Sequence, residues 1–125
     1  MTEKDWKQLS TKIVHENNYF RVREDAVTRP DGKPGTYFVI EAPPGVTIVA
    51  LTEKNEIYFV LLHRYTTGVL AWELPAGGVE GNNLLEAAQR ELQEETGLTA
   101  RDWKEIGLVQ LFNGSTNKIQ HIFLA

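Results

Sequence analysis

Cysteine is absent from the 125 residues, so neither a disulfide nor thiolate chemistry is open to this chain. No apolar run reaches the roughly 20 residues that a membrane-spanning helix needs. The opening MTEKDWKQLS lacks the apolar centre of a signal peptide, which makes a soluble cytoplasmic protein with no membrane partner the expectation. Positive charge is not in excess either. A net charge of −4 gives no general pull toward nucleic acid, so a phosphate-bearing ligand would need a metal ion to blunt its charge. Gly-x-Ser-x-Gly and Walker-type loops are missing, which leaves serine-hydrolase and P-loop chemistry without a foothold. His15, His63 and His121 stand alone with no metal-ligand spacing and read as ordinary polar or packing residues.

What is present suits one domain over residues 1–125, with 42% hydrophobic residues to build a core. Residues 1–42 read as an N-terminal strand region. Tyr19 to Arg23 is one β-prone run, Arg29-Pro30-Asp31-Gly32 a turn and Thr36 to Glu41 a second run, together a hairpin or meander. Pro43-Pro44-Gly45 marks entry to a core over 43–125. Val46 to Leu51 and Ile57 to Leu62 are expected as a hairpin in the central sheet. Glu105 to Phe112 and Lys118 to Leu124 are expected as strands joined by Asn113 to Asn117. The implied class is α/β or α+β, a mixed β-sheet sandwich with a helix packed on it.

The chemistry concentrates between Trp72 and Leu98, WELPAGGVEGNNLLEAAQRELQEETGL. Asn83 can cap a helix with Glu86 three residues on, and Gly97 sits where a left-handed C-terminal residue is wanted. The spacing predicts a helix of three to four turns whose apolar stripe is Leu85, Ala88 and Leu92, with Glu86, Arg90 and Gln93 pointing away. Glu91, Glu94 and Glu95 then share one side, two of them beside the stripe and partly shielded from water. Like charges at this spacing cost roughly 0.2–0.5 kcal/mol per pair. Two readings fit: a solvated acidic face, or a site for a hard divalent cation, which prefers such oxygen ligands. Pro75-Ala76-Gly77-Gly78 just before the helix is likewise either a tight turn or a place where backbone approaches a ligand.

Arg90-Glu91-Leu92-Gln93-Glu94-Glu95-Thr96-Gly97-Leu98 resembles the second half of the Nudix box, G-x5-E-x7-R-E-U-x-E-E-x-G-U with U aliphatic, at every specified position. The first half departs from the pattern. The box glutamate falls on Asn82, and the box glycine falls on Ala76 unless one loop residue is deleted and Gly77 takes its place. That glutamate commonly pairs with the box arginine, here Arg90, so this chain would have to brace its loop by amide hydrogen bonds. Trp6, Pro30-Asp31-Gly32 and Glu73-Leu74-Pro75-Ala76-Gly77 are similar to motifs of the Nudix subgroup that includes ADP-ribose pyrophosphatases.

The resemblance implies a Nudix-type fold and a hydrolase that needs Mg²⁺, with Mn²⁺ as a possible substitute. The reaction is cleavage of a nucleoside diphosphate linked to another moiety, ADP-ribose or a related nucleotide sugar. It makes Glu91 and Glu95 the principal metal ligands with the Ala76 carbonyl, and Glu94 a further ligand or a base for water. Arg90 orients the loop. Arg64 matches an arginine that contacts the diphosphate, Glu73 a glutamate that helps hold metal or loop, and Tyr19 and Tyr37 aromatics that stack on the adenine, often across a homodimer interface. Relatives continue past the strand that here runs His121 to Ala125, and the continuation carries a glutamate proposed as general base. Without it, Glu94 or metal-bound hydroxide would have to serve. Two other functions remain open: hydrolysis of nucleoside triphosphates or dinucleoside polyphosphates, and a nucleotide-binding module without turnover.

Overall fold

A computed structural model describes residues 5–125; residues 1–4 of the expected N-terminal strand region lie outside the described residues. The chain forms two compact units, one made of the residues up to Pro43 together with Gln110–Lys118, the other of Pro44–Val109 with Ile119–Ala125.

The first unit is an antiparallel meander of β1 (Lys7–Glu16), β2 (Arg21–Thr28) and β3 (Pro34–Glu41) in the order β1-β2-β3. Strand β1 was not expected, because every one of its residues is exposed and no burial pattern marks it. Tyr19 and Phe20 precede β2 rather than open it. They sit in a turn where the Asn17 side chain accepts from both of their amides, at 2.8 and 3.0 Å. The expected turn at Arg29 to Gly32 is present, closed by the Gly32 amide on the Arg29 carbonyl at 2.8 Å.

On one face of this sheet Arg21 and Arg23 both grip the Glu41 carboxylate, and Arg23 Nε donates to buried Asp25 at 3.0 Å. The two arginines hold the Glu41 carboxyl below its usual range. The free edge of β3 is covered by the 113–117 loop. Ile40 donates to the Ser115 carbonyl (2.8 Å) and accepts from the Asn117 amide (3.2 Å), so the otherwise open backbone groups of that edge residue are satisfied.

The second unit holds a mixed four-stranded sheet, β7-β4-β9-β8, from β4 (Gly45–Val49), β7 (Ala76–Gly78), β8 (Lys104–Gln110) and β9 (Ile119–Leu124). Strand β4 runs antiparallel to β7 and parallel to β9. Its apolar run is central, as expected, but the hairpin partner is not. Residues Val60–Arg64 form β5, which pairs with β6 (Val69–Glu73) as a separate two-stranded sheet. Only a single Leu51–Ile57 bridge remains of the expected pairing. The sequence signal for a β-prone run carries no information on its partner, and β4 is already flanked on both sides. The strand expected to reach Phe112 stops at Gln110, because Phe112 adopts φ 45° and opens a turn whose carbonyl accepts from Ser115 and Thr116.

Helix α1 spans Leu84–Thr96. Asn83 Oδ1 caps it by accepting from the Glu86 amide at 3.0 Å, and Gly97 ends it at φ 74°, a conformation that costs a residue with a Cβ far more than glycine. The apolar stripe is rotated from the expected one. Leu85 is exposed, whereas Leu84 packs on the core and Ala87 is buried beside Ala88 and Leu92. Those residues meet Val46, Ile48, Ala50 and Phe123 of the sheet to form the core of this unit. The rotation carries Glu91, seven residues after Leu84, onto the flank of the core. Among the described residues no helix is long and apolar enough to cross a membrane.

Candidate active site

The site begins with strand parity. The Ile48 amide donates to the Pro75 carbonyl (2.9 Å) and the Val79 amide to the Pro44 carbonyl (3.3 Å), which fixes which residues of β7 bond to β4. In an antiparallel ladder bonded and non-bonded pairs alternate. Thr47–Ala76 and Gly45–Gly78 are therefore non-bonded pairs, and the N–H and C=O groups of Ala76 and Gly78 turn away from β4. Pro75-Ala76-Gly77-Gly78 is thus a short edge strand rather than only a turn, and its outward polar groups meet the helix.

Three side chains of α1 take up that edge. Glu95 accepts from the Ala76 amide at 3.1 Å. Arg90 Nη2 donates to the Gly78 carbonyl at 3.0 Å and reaches Glu91 Oε1 at 3.4 Å. Glu91 lies flat against Gly77: a Cβ built on that glycine would stand 2.1 Å from the Glu91 carboxyl carbon, so only glycine admits the carboxylate there. Glu91 is half-buried, with its side chain 15% exposed. Glu95 keeps contact with solvent, yet lost hydration pushes its pKa up; the Ala76 N–H pulls it back down and the charge of Glu91 raises it again. The expectation of two shielded carboxylates is met by Glu91 in full and by Glu95 only in this electrostatic sense.

Glu94 is the outlying member, with its side chain 60% exposed and an oxygen 3.9 Å from Arg90 Nε. Among the described residues no group of three or more His, Cys, Asp or Glu is gathered tightly enough to hold a metal ion. Two carboxylates and an outward-facing carbonyl at Ala76 nevertheless make an all-oxygen donor set, and the mutual repulsion of Glu91 and Glu95 is what a divalent cation would relieve. The residues fit such an ion.

Asn82, at the box-glutamate position, makes no side-chain hydrogen bond among the described residues. The expected amide brace is present where the Ala76 amide donates to Glu95, and the arginine adds to it through the Gly78 carbonyl and, at 3.9 Å, Glu80. Sequence reasoning missed both contacts. The paired glycines were the available signal, since a backbone that approaches a carboxylate and an arginine this closely needs small residues.

Arg64 and Glu73 belong to the same unit and form a two-bond fork, Nε to Oε2 at 2.7 Å and Nη2 to Oε1 at 2.6 Å. Each holds the other in its charged form, raising the arginine pKa and lowering that of the carboxyl, and both charges act on Glu95. Tyr19 and Tyr37 lie in the first unit. Tyr19 is 80% exposed. Tyr37 is engaged, its hydroxyl donating to the Gly114 carbonyl at 2.7 Å and its ring meeting Trp6 edge-on at 5.2 Å. His121, read as an ordinary polar or packing residue, pairs with Glu105 at 2.6 Å.

Comparison with known proteins places these features. Residues 6–40 match a model described as the nucleoside diphosphate sugar hydrolase N-terminal domain, and residues 41–125 match the NUDIX domain. An ADP-ribose pyrophosphatase of Mycobacterium tuberculosis is 35% identical over an alignment covering 100% of this chain and 61% of that protein. A CMP-5'-(N-acetyl-N-hydroxy-3-aminopropyl)phosphonate hydrolase of Streptomyces rubellomurinus is 29% identical, with 96% and 59% covered. An ADP-ribose pyrophosphatase of Bacillus subtilis is also 29% identical, with 95% and 65% covered. The chain thus spans about three-fifths of the length of the curated relatives it matches. The crystal structure of an ADP compounds hydrolase superposes with a TM-score of 0.85 at 21% identity, covering 97% of this chain and 66% of that one, and shares the fold. With a complete helix half of the box, its arginine on the glycine strand and a family model matched over 41–125, the chain belongs to the Nudix family.

Proposed function

We propose that this chain is a divalent-metal-dependent hydrolase that cleaves a nucleoside diphosphate linked to another moiety, with ADP-ribose or a related nucleotide sugar as substrate. The observation that carries the reading is the corner where Glu91 lies against Gly77 and Glu95 bonds Ala76. The ADP-ribose pyrophosphatase relatives and the match of residues 6–40 to a nucleoside diphosphate sugar hydrolase domain support the substrate class.

Glu91, Glu95 and the Ala76 carbonyl would hold the ion, Mg²⁺ or Mn²⁺. Bound there, it would neutralise part of the diphosphate charge and lower the pKa of a water. Arg90 keeps the carbonyl strand and Glu91 in register. Glu94, solvent-facing and one helical position from Glu95, would serve as a further ligand or accept a proton from an incoming water. Arg64 supplies a positive edge for a phosphate oxygen. The exposed ring of Tyr19, taken by itself, suits stacking on a base. We take the working form to be a homodimer, which a light-scattering mass of one chain would contradict.

The test is incubation with Mg²⁺ and a panel of ADP-ribose, other nucleotide sugars, dinucleoside polyphosphates and triphosphates, with identification of products. Two phosphate-bearing products from a nucleotide sugar are expected, and Glu91→Gln is expected to abolish turnover while the fold is retained. Pyrophosphate release from triphosphates would move the substrate class. Binding without product would instead make the chain a nucleotide-holding module, a reading that the lack of a tight three-carboxylate cluster among the described residues favours.

A further inference from the structure

Arg64 does not pair with the residue opposite it. The β5–β6 register sets Arg64 against Val69 and Val60 against Glu73, so Glu73 lies four positions along the neighbouring strand. At about 3.3 Å per residue that is roughly 13 Å, and the arginine must run along the face that carries Leu62 and Ala71 to reach it. It does so, and closes the fork at 2.6 and 2.7 Å. The reach carries the guanidinium away from the hairpin tip, to the end of β6 that continues through Leu74 and Pro75 into Ala76. Both charges are felt at Glu95, which bonds Ala76.

The fork also uses one side of the guanidinium. Nε and one proton of Nη2 are spent on Glu73, and Nη1 has no partner among the described residues. A guanidinium has five N–H donors in a rigid plane, so with its Nε side fixed its Nη1/Nη2 edge is left oriented and unspent. That edge matches two oxygens of a phosphate.

Resting on the reading of this site as a nucleoside-diphosphate hydrolase, we propose that Glu73 is a positioning residue. It clamps the Nε side of Arg64 so that the Nη1/Nη2 edge is presented to a diphosphate oxygen beside the Ala76–Glu95 corner, and it is not itself a metal ligand.

The wild type, Glu73→Gln, Arg64→Ala and the double variant separate this from the alternatives through four readouts: KM and kcat for ADP-ribose, ADP affinity by calorimetry in EDTA, Mn²⁺ affinity by electron paramagnetic resonance, and thermal midpoint. Each single variant is expected to weaken ADP binding and raise KM by about tenfold, the scale of one charge-assisted hydrogen-bond pair. Mn²⁺ affinity should hold within about twofold. The double variant should be no worse than Arg64→Ala, because Glu73 acts only through the arginine. Arg64→Lys should fail to restore ADP binding, since an ammonium has no second edge to orient.

Weaker Mn²⁺ binding in Glu73→Gln would make Glu73 a metal ligand and overturn the proposal. Additive losses in the double variant would do the same, as would a lowered thermal midpoint with ADP affinity unchanged, which would reduce the pair to a strand staple. Because the ADP arm needs neither metal nor turnover, a wild type that binds ADP yet hydrolyses nothing would sink the proposed reaction while this proposal stood or fell by the variants. A wild type that binds ADP neither in EDTA nor with Mg²⁺, where the same variants are compared, would overturn both.

Discussion

Replacing Gly77 by alanine adds one methyl group at the point where strand β7 meets the helix, and the structure says what that methyl meets. The new Cβ would lie 2.1 Å from the Glu91 carboxyl carbon and 2.3 and 2.5 Å from its oxygens. Ordinary contact begins near 3.4 Å, so the carboxylate has to retreat by about 1.3 Å. The obstacle is the far end of a flexible side chain, and an off-rotamer glutamate costs only about 0.5–1.5 kcal/mol. For a chain of this length that lowers the thermal midpoint by roughly 2–6 °C.

The effect on ion binding is larger. A carboxylate that would ligate a divalent ion directly cannot retreat by about 1.3 Å and stay in contact, and loss of one charge-assisted contact of roughly 2 kcal/mol is about thirtyfold in affinity. Gly77→Ala should therefore fold, melt slightly early and bind Mn²⁺ about thirtyfold more weakly by electron paramagnetic resonance. Gly78→Ala is the matched control, since a Cβ there meets nothing within 4 Å, and it should bind like the wild type. Wild-type Mn²⁺ affinity in folded Gly77→Ala would refute the idea that Glu91 grips a cation from this seat.

Other outcomes follow from the same geometry. Asn83→Ala should cost about 1 kcal/mol of stability through loss of the cap on the Glu86 amide, and Asn83→Ser should recover most of it in urea denaturation. Leu92→Ala, at a site 1% exposed, should cost about 2–5 kcal/mol, while Leu85→Ala on the exposed flank should cost well under that; similar urea midpoints would contradict the rotated stripe. In EDTA, the folded-state pKa of Glu95 lies above its ordinary 4.5, so the folded chain binds that proton more tightly. Its contribution is full below about 4.5 and is lost as pH rises through the folded value. Glu95→Gln should remove this decline, leaving the opposite trend of the lowered Glu41 and Glu73 carboxyls, whose stabilisation is present above 4.5 and lost as pH falls through their folded values. Parallel stability–pH curves for the two proteins would count against the origin given for the shift.

The sequence carried some of this in local form. Asn83 and Gly97 bounded the helix correctly because a cap is a contact between near neighbours, and Arg90 to Leu98 specified its family because nine consecutive positions repeat a known spacing. Longer-range choices were not legible. Val60 to Arg64 has the composition of a sheet strand, but nothing in it says that Val69 to Glu73 will be its partner instead of β4. Leu84 and Leu85 are adjacent leucines, and the 100° between them decides which glutamates flank the core; only packing on Val46 and Ile48 resolves it. Strand β1 was invisible for the opposite reason, since its exposed residues carry no alternation to read.

The parallel pairing of β4 with β9 has a consequence for synthesis. Gly45 finds its partner in Gln120, about 75 residues later, with the helix and the glycine strand made in between. A nascent chain on the ribosome would carry a half-flanked β4, with Val46 and Ile48 still lacking the cover that Phe123 brings, until Ile119–Leu124 emerged. Throughout that interval two side chains that the finished fold buries completely stand uncovered on the side of the missing strand.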